Sequence, residues 1–320
     1  MMKNAIILFC LFPFYFFGQE ALVSRADALI SEKKYVQAEA VLKKAFQDGN
    51  DSSALLEKLG DVYGHQKNWG KAAVYYKKLR DRHPDVANYH YKYGGVIGMK
   101  ALENKLKAIG LIGDIKSSFI KAAELDPTHI EARWALVELY MQLPGVLGGS
   151  KKKSLKYAEE LEALSKVDGF LAKGYIYEYD NEPVKAEEYY RNAVRVGGSV
   201  TCYEKLATLY EKKTGEPDKA IQTMEEAQKK HNRNALHYQI GKVCADYNIQ
   251  LDKGIQCLNT YIENYSVKDG VPVEWAYYRI AQIYRHKGDK ANALKWVDKA
   301  LDKHPGFEEA AKEKKRISTI

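Results

Sequence analysis

LLEKLGDVYGHQKNWGKAAVYYKKLRDRHP, residues Leu55–Pro84, sets a pattern that the rest of the chain repeats. Leu56, Leu59 and Tyr63 fall on one apolar stripe of a helix, with Gly60 beside it. Asn68 and Gly70 interrupt the stripe, and Ala72, Tyr76 and Leu79 make a second one that stops before Pro84. The stretch therefore reads as two short helices joined by a tight turn. Gly60 and Ala72 have no bulk, so this reading sets them facing each other where the two backbones approach closely. A large side chain at Ala72 would overpack that contact, at a cost of about 1–3 kcal/mol.

The register returns along nearly the whole chain. It is carried by Ala26, Leu29 and Ala38, by Tyr93, Gly94 and Phe119, by Leu136 and Tyr140, and by Gly174, Ala186 and Tyr190. Leu206, Ala207 and Ala220, then Gly241, Gly254 and Leu258, then Ala281, Ala293, Ala300 and Pro305 continue it. This order of large, small and aromatic residues closed by proline resembles the tetratricopeptide repeat, with Leu56 standing where tryptophan is usual. The resemblance implies an all-α fold: a right-handed superhelical solenoid of about eight helical hairpins with a C-terminal capping helix. Units are expected near residues 19–52, 53–86, 87–129, 130–166, 167–199, 200–233, 234–273 and 274–306, with the capping helix at 307–320. The charged final stretch FEEAAKEKKRI supplies the polar outer face that a terminal repeat needs. Because each repeat touches only its neighbours, residues 19–320 are expected to form one body, with no second domain.

Two units depart from the regular length. Pro84 and Pro127 stand 43 residues apart, against about 34 for a regular unit. The excess lies in ALENKLKAIGLIGD, where Gly110 and Gly113 suggest helix breaks and the residues around Lys105 a projecting hairpin. The next unit carries QLPGVLGGSKKKS, a turn expected to need positive backbone angles at Gly148 and Gly149. Its Leu-Pro, Gly-Gly and basic run looks like a loop found in a group of exported bacterial repeat proteins. It is not a phosphate-binding loop, because Ser150 replaces the last glycine of that motif and no strand leads into it.

Lys3, an apolar run from Ala5 to Phe17, and Gly18 have the layout of a cleaved secretory signal peptide at residues 1–18. An uncleaved anchor is the alternative, and only that form would attach the chain to a membrane. Cys10 is not read as a lipid-attachment site, since Phe9 stands where a small residue is needed. Export leaves Cys202, Cys244 and Cys257 in an oxidising compartment, where a Cys244–Cys257 disulfide and three buried free thiols are both open. The expected location is the periplasm or the exterior of a bacterial envelope.

The resemblance also implies where a partner would lie, because the first helices of such repeats line a concave groove. Carried onto this sequence, the groove takes Tyr91, Trp134, Leu171, Tyr175, Tyr238, Trp275, Tyr278 and Gln282. Among them stand Asp27, Glu57, Asp61, Glu131, Glu138, Glu178 and Glu204, with Lys242 and Arg285 the clear cations. A formal net charge of +8 then puts most positive charge on the second helices and loops. An aromatic, acidic groove suits a protein or peptide segment with basic and apolar residues. The alternative is that these tyrosines pack between helices and the acids form a solvated face. The basic clamp of chaperone-binding relatives is missing, as Val23, Asp27, Glu57 and Asp61 occupy its places.

No nucleophile elbow, metal-binding helix, dinucleotide turn or catalytic cysteine signature is present, so neither cofactor nor metal is expected. Nucleic acid is disfavoured by an acidic groove. The function read from the sequence is a non-catalytic interaction scaffold of the cell envelope. A permanent structural subunit using the outer face and the insertions is the alternative, and a hydrolase using Glu138 and Glu178 the remote one.

Overall fold

The structure, a computed structural model, describes residues 22–103 and 108–319. The signal-like segment with Cys10, and Lys105 of the insertion, lie outside the described residues. Every described element is helical. The chain divides into two compact units, the first ending at Leu164 and the second beginning at Ser165.

Unit 1 holds four helix pairs. They are α1 (22–31) with α2 (Tyr35–Gln47), α3 (Ser53–His65) with α4 (Trp69–Arg82), α5 (Ala87–Glu103) with α6 (Ile112–Leu125), and α7 (Ile130–Gln142) with α8 (Lys151–Leu164). Unit 2 holds four more: α9 (Lys166–Tyr179) with α10 (Pro183–Val196), α11 (Val200–Leu209) with α12 (Pro217–His231), α13 (Asn234–Tyr247) with α14 (Leu251–Glu263), and α15 (Val273–His286) with α16 (Lys290–Lys303). A last helix, α17 (Glu308–Ser318), closes it, burying Ala310 and Ile317 beneath a charged outer face. The expected hairpins and capping helix are thus present.

The tight turns share one geometry. The amide of Asn68 reaches back to Tyr63 O at 2.8 Å, and Lys34, Glu182 and Asp289 make the same five-residue bond to Leu29, Tyr177 and Tyr284. Such a turn needs one residue at positive φ, and Lys33, Lys67, Asn181 and Gly288 fill that place. Asn68 caps α4 by accepting the Lys71 amide and so stands at the interruption expected there, whereas Gly70 lies inside α4. In the α11–α12 turn the equivalent bond, Glu216 N to Tyr210 O, spans one residue more. The extra residue is absorbed as a π-turn at Tyr210–Thr214, with Gly215 at φ +66° behind it.

Within a pair, the small residue of the first helix faces a ring of the second. A Cβ on Gly60 would stand 2.7 Å from the ring of Tyr76, and one on Gly174 2.4 Å from that of Tyr190. Gly94 meets Phe119 and Gly241 meets Leu258 in the same way. Gly60 and Ala72 are therefore not simply opposed across the pair; Gly60 makes room for an aromatic ring. Gly110 lies in the 3-10 turn that precedes α6, as a helix break would, whereas Gly113 lies inside the first turn of α6 and is not one. Of the expected pair of positive angles only Gly148 has one, at φ +93°. Gly149 is needed for clearance, as a Cβ there would sit 1.8 Å from Leu143 O.

Candidate partner-binding surface

The first helices of successive pairs are joined by ion pairs. In unit 1, Lys58 of α3 reaches back to Asp27 of α1 at 2.6 Å, and Lys92 of α5 bridges Glu57 and Asp61 of α3 at 2.7 and 2.8 Å. Asp61 also accepts the Tyr76 hydroxyl at 2.6 Å. Gly60 lets the Tyr76 ring pass beneath α3, so the hydroxyl emerges on the side that carries the acids. Burial disfavours the Lys92 ammonium, but its bonds to Asp61 and Glu57 outweigh that, and its pKa is raised. Burial, with the charge of Asp61, pushes the Tyr76 hydroxyl far above the usual tyrosine value, so it remains a donor.

Unit 2 uses the same device with other residues. Lys242 of α13 meets the buried Glu211 at 3.0 Å, Arg279 of α15 pairs with Asp246 of α13, and Arg285 of α15 pairs with the buried Glu313 of α17. Tyr190 donates to Glu178 at 2.7 Å, as Tyr76 does to Asp61. Within each unit the hairpins thus repeat a small residue set against a large side chain, and ion pairs tie several of the first helices to the next.

Two segments, residues 54–85 and 276–302, match family models that are both described as tetratricopeptide repeat. The chain carries tetratricopeptide repeats. Among solved structures it is similar to a tetratricopeptide repeat protein from Parabacteroides merdae ATCC 43184, with 15% identity, 93% of this chain and 98% of that one covered, and a TM-score of 0.52. It is also similar to YrrB, described as a TPR protein with an unusual peptide-binding site (21% identity, 62% and 97% covered, TM-score 0.43). A third is a thermophilic TPR protein in Thermus thermophilus (15% identity, 65% and 98% covered, TM-score 0.45). The first of these likenesses shows the fold alone. No curated protein matches the chain.

The tetratricopeptide pairs distribute the expected groove residues unevenly. In unit 1, Tyr91 is half-buried, with its ring 6.0 Å from that of Phe119 and 5.0 Å from that of His129. Burial raises the Tyr91 pKa, and the negative charges of Glu131 and Glu138 add to the shift, so both acids lie near this ring. Glu131 and Glu138 are exposed and Trp134 is partly so. Glu131 also meets His129 Nδ1 at 3.1 Å. These four residues come together on α5 and α7.

In unit 2 several expected groove residues are structural. Tyr238 is buried, with its ring 5.3 Å from that of Tyr261, which fills the space a ligand would need. Tyr278 is buried against Trp275 and Phe307, and its hydroxyl accepts from the equally buried Gln282 at 3.0 Å. Trp275 packs against Phe307 with tilted rings 4.5 Å apart, and Lys242 and Arg285 are spent on Glu211 and Glu313. Tyr175 is half-buried beside Tyr179, and Glu178 holds Tyr190. The row is also less acidic than its sequence suggests, because Asp27, Glu57 and Asp61 are neutralised by Lys58 and Lys92. Sequence reasoning missed Lys58, Lys92 and Arg279. The signal for them was present as a cation two residues before the small residue, at Lys58–Gly60, Lys92–Gly94 and Arg279–Ala281.

Cys244 and Cys257 are free thiols, and burial pushes their pKa values up to about 12 and about 11. Among the described residues no group of His, Cys, Asp or Glu is placed to hold a metal ion, and no helix is long and apolar enough to cross a membrane.

Proposed function

We infer that the chain is a protein-interaction scaffold of the cell envelope, and that the unit 1 patch of Tyr91, Glu131, Trp134 and Glu138 takes a partner segment carrying basic and apolar residues. Tetratricopeptide repeats are a non-catalytic, protein-binding fold in most of their settings, which supports the scaffold. The observation that carries the patch is Tyr91, an aromatic ring lying within reach of the charges of two exposed glutamates on the neighbouring first helix. An aromatic face gives contact area at little entropy cost, and the acids steer and orient a cation. Tyr238, Tyr278 and Gln282 drop out of the binding surface, being buried within their own unit. The signal-like layout of residues 1–18 supports export. Catalysis has no support in unit 2, where Glu178 is engaged by Tyr190.

The test is capture from envelope extract by the chain, by a Glu131→Lys, Glu138→Lys variant, and by a Trp134→Ala variant shown to keep its helical signal. A partner captured by the first and lost from both variants supports the patch. Equal capture by all three would end this reading. It would instead favour permanent assembly through the insertion, where Leu102 and Ile109 are 67% and 62% exposed.

A further inference from the structure

A second feature of unit 1 lies away from the first-helix acids. A cleft of about 490 Å³ opens between α4, the start of α5 and α6, lined by Arg80, His90, Lys116, Ser117, Ser118, Ile120, Lys121 and Glu124. Three permanent cations and a histidine face a single carboxylate there. Arg80 is pre-positioned: its guanidinium lies 4.1 Å over the Tyr93 ring and shares Asp81 Oδ1 through Nε and Nη2 at 3.1 and 2.8 Å. Asp81 is also bound by Lys77, so it only partly offsets Arg80. Among the described residues no carboxylate pairs with Lys116 or Lys121. The Lys116 ammonium extends toward the Gly148 turn, within 3.8 Å of where a Cβ of Gly148 would stand. His90 Nε2 donates to Pro84 O at 2.9 Å, leaving Nδ1 uncommitted.

We propose that this cleft docks an acidic peptide segment of a partner protein. Its shape decides against a compact anion. Lining residues run along α6 from Lys116 to Glu124, roughly 12 Å of helix at about 1.5 Å per residue, and the cations are spread along that line. Sites for a single phosphate converge several backbone N–H groups on one point, whereas the polar groups here are side chains from three helices. A strand of carboxylates matches the spacing, with its acids toward Arg80, Lys116 and Lys121. Glu124 repels an acid at the far end and so limits the acidic run to the stretch facing Arg80, Lys116 and Lys121. The site also gives a use to some of the excess positive charge that the first-helix row does not hold.

The test uses fluorescence anisotropy with a labelled hexaglutamate peptide and the purified chain at low salt. Binding should weaken about tenfold or more in a Lys116→Glu, Lys121→Glu variant. It should be nearly unchanged in a Lys213→Glu, Lys229→Glu variant, which alters the net charge equally through exposed residues of unit 2. It should also survive Glu131→Lys, Glu138→Lys, so the cleft and the aromatic patch fail or stand separately. Equal weakening in the two lysine variants would reduce the effect to the general attraction of a basic chain and overturn the proposal. So would displacement of the peptide by tripolyphosphate at far lower concentration than by unlabelled hexaglutamate, which would make the cleft a phosphate site.

Discussion

In unit 1 the ion pairs of the first-helix row are open to water: Lys92, Glu57 and Asp61 each keep about a quarter of their side-chain surface exposed. In unit 2 the row buries two of its acids, with Glu211 at 4% and Glu313 at 0% side-chain exposure, and leaves Asp246 as open as those of unit 1. The aromatic residues follow the acids. Tyr91 and Trp134 remain partly exposed in unit 1, while Tyr238 and Tyr278 are packed away in unit 2. One repeat register therefore yields a contact surface or a core, depending on what the neighbouring helix contributes. Tyr261 packs on the buried Tyr238 and Phe307 on the buried Tyr278, whereas Tyr91, with Phe119 and His129 tilted against it, stays half-exposed. On this view unit 2 is the more rigid body and unit 1 offers the more accessible surface.

The sharpest test of that contrast is charge removal. Glu211→Gln puts a neutral amide at a site 4% exposed, leaving Lys242 only Asp246 at 3.8 Å, and should cost about 1–3 kcal/mol, whereas Glu57→Gln, at a more open site, leaves Lys92 on Asp61 at 2.8 Å and should cost less than about 1 kcal/mol. The pH dependence carries the sign. Burial pushes the Glu211 carboxyl up, but the bonds and charges of Lys212 and Lys242 outweigh it, so its folded pKa lies below the ordinary glutamate value. Its stabilisation is thus complete above that ordinary value and is lost as pH falls through the lowered one. Urea unfolding at neutral pH should show the full gap between Glu211→Gln and the parent chain, and in acid the gap should close. A gap that persists in acid would show that the charge is not its source.

A second contrast lies between glycines. Gly174→Ala drives a methyl into the Tyr190 ring, which its bond to Glu178 holds in place, and should cost about 1–3 kcal/mol. Gly60→Ala should cost somewhat less, since its clearance to Tyr76 is 2.7 Å against 2.4 Å. Gly64, on the same helix as Gly60 with nothing near its Cβ position, should instead gain about 0.5–1 kcal/mol as alanine. Thermal unfolding of the three variants checks the order. If Gly60→Ala and Gly64→Ala behave alike, the ring-over-glycine packing is not what holds the pair together.

The fold was legible because each hairpin repeats a spacing that only one packing satisfies, and Leu56, Leu59, Ala72 and Tyr76 suffice to state it. The site was legible only in part. Which first-helix positions face away from the second helix follows from periodicity, and so Tyr91, Glu131, Trp134 and Glu138 could be named as candidates. Whether such a residue is exposed depends on the next repeat, and periodicity within one repeat is silent on that. Tyr261 lies on a second helix, and Phe307 lies beyond the last proline, so the burial of Tyr238 and Tyr278 was hidden. Lys92 was passed over for a related reason. It lies beside the apolar stripe, and its partners Glu57 and Asp61 belong to the repeat before it.

The smallest effect separates the turns of the two units. Unit 1 places Lys33 and Lys67 at the left-handed position of its first two hairpins and Gly148 in its last, while unit 2 uses Asn181, Gly215, Asn248 and Gly288, with Gln250 as its one β-carbon residue other than asparagine in that region. A β-carbon in that region costs roughly 1–2 kcal/mol, least for asparagine, and glycine escapes it at the expense of a more flexible unfolded chain. Lys67→Gly should therefore stabilise the chain by about 0.5–1 kcal/mol, the steric relief exceeding the entropy lost. Asn181→Gly should change it by less, because asparagine already tolerates the angle. Lys67 is exposed and only its backbone is fixed, through the Lys67 amide to Gly64 O at 2.9 Å, so no side-chain contact competes with the backbone term. Equilibrium unfolding of the two variants measures the difference directly. A gain at Asn181 as large as at Lys67 would mean that unit 2 turns are as strained as those of unit 1, and the contrast between the units would rest on their first-helix rows alone.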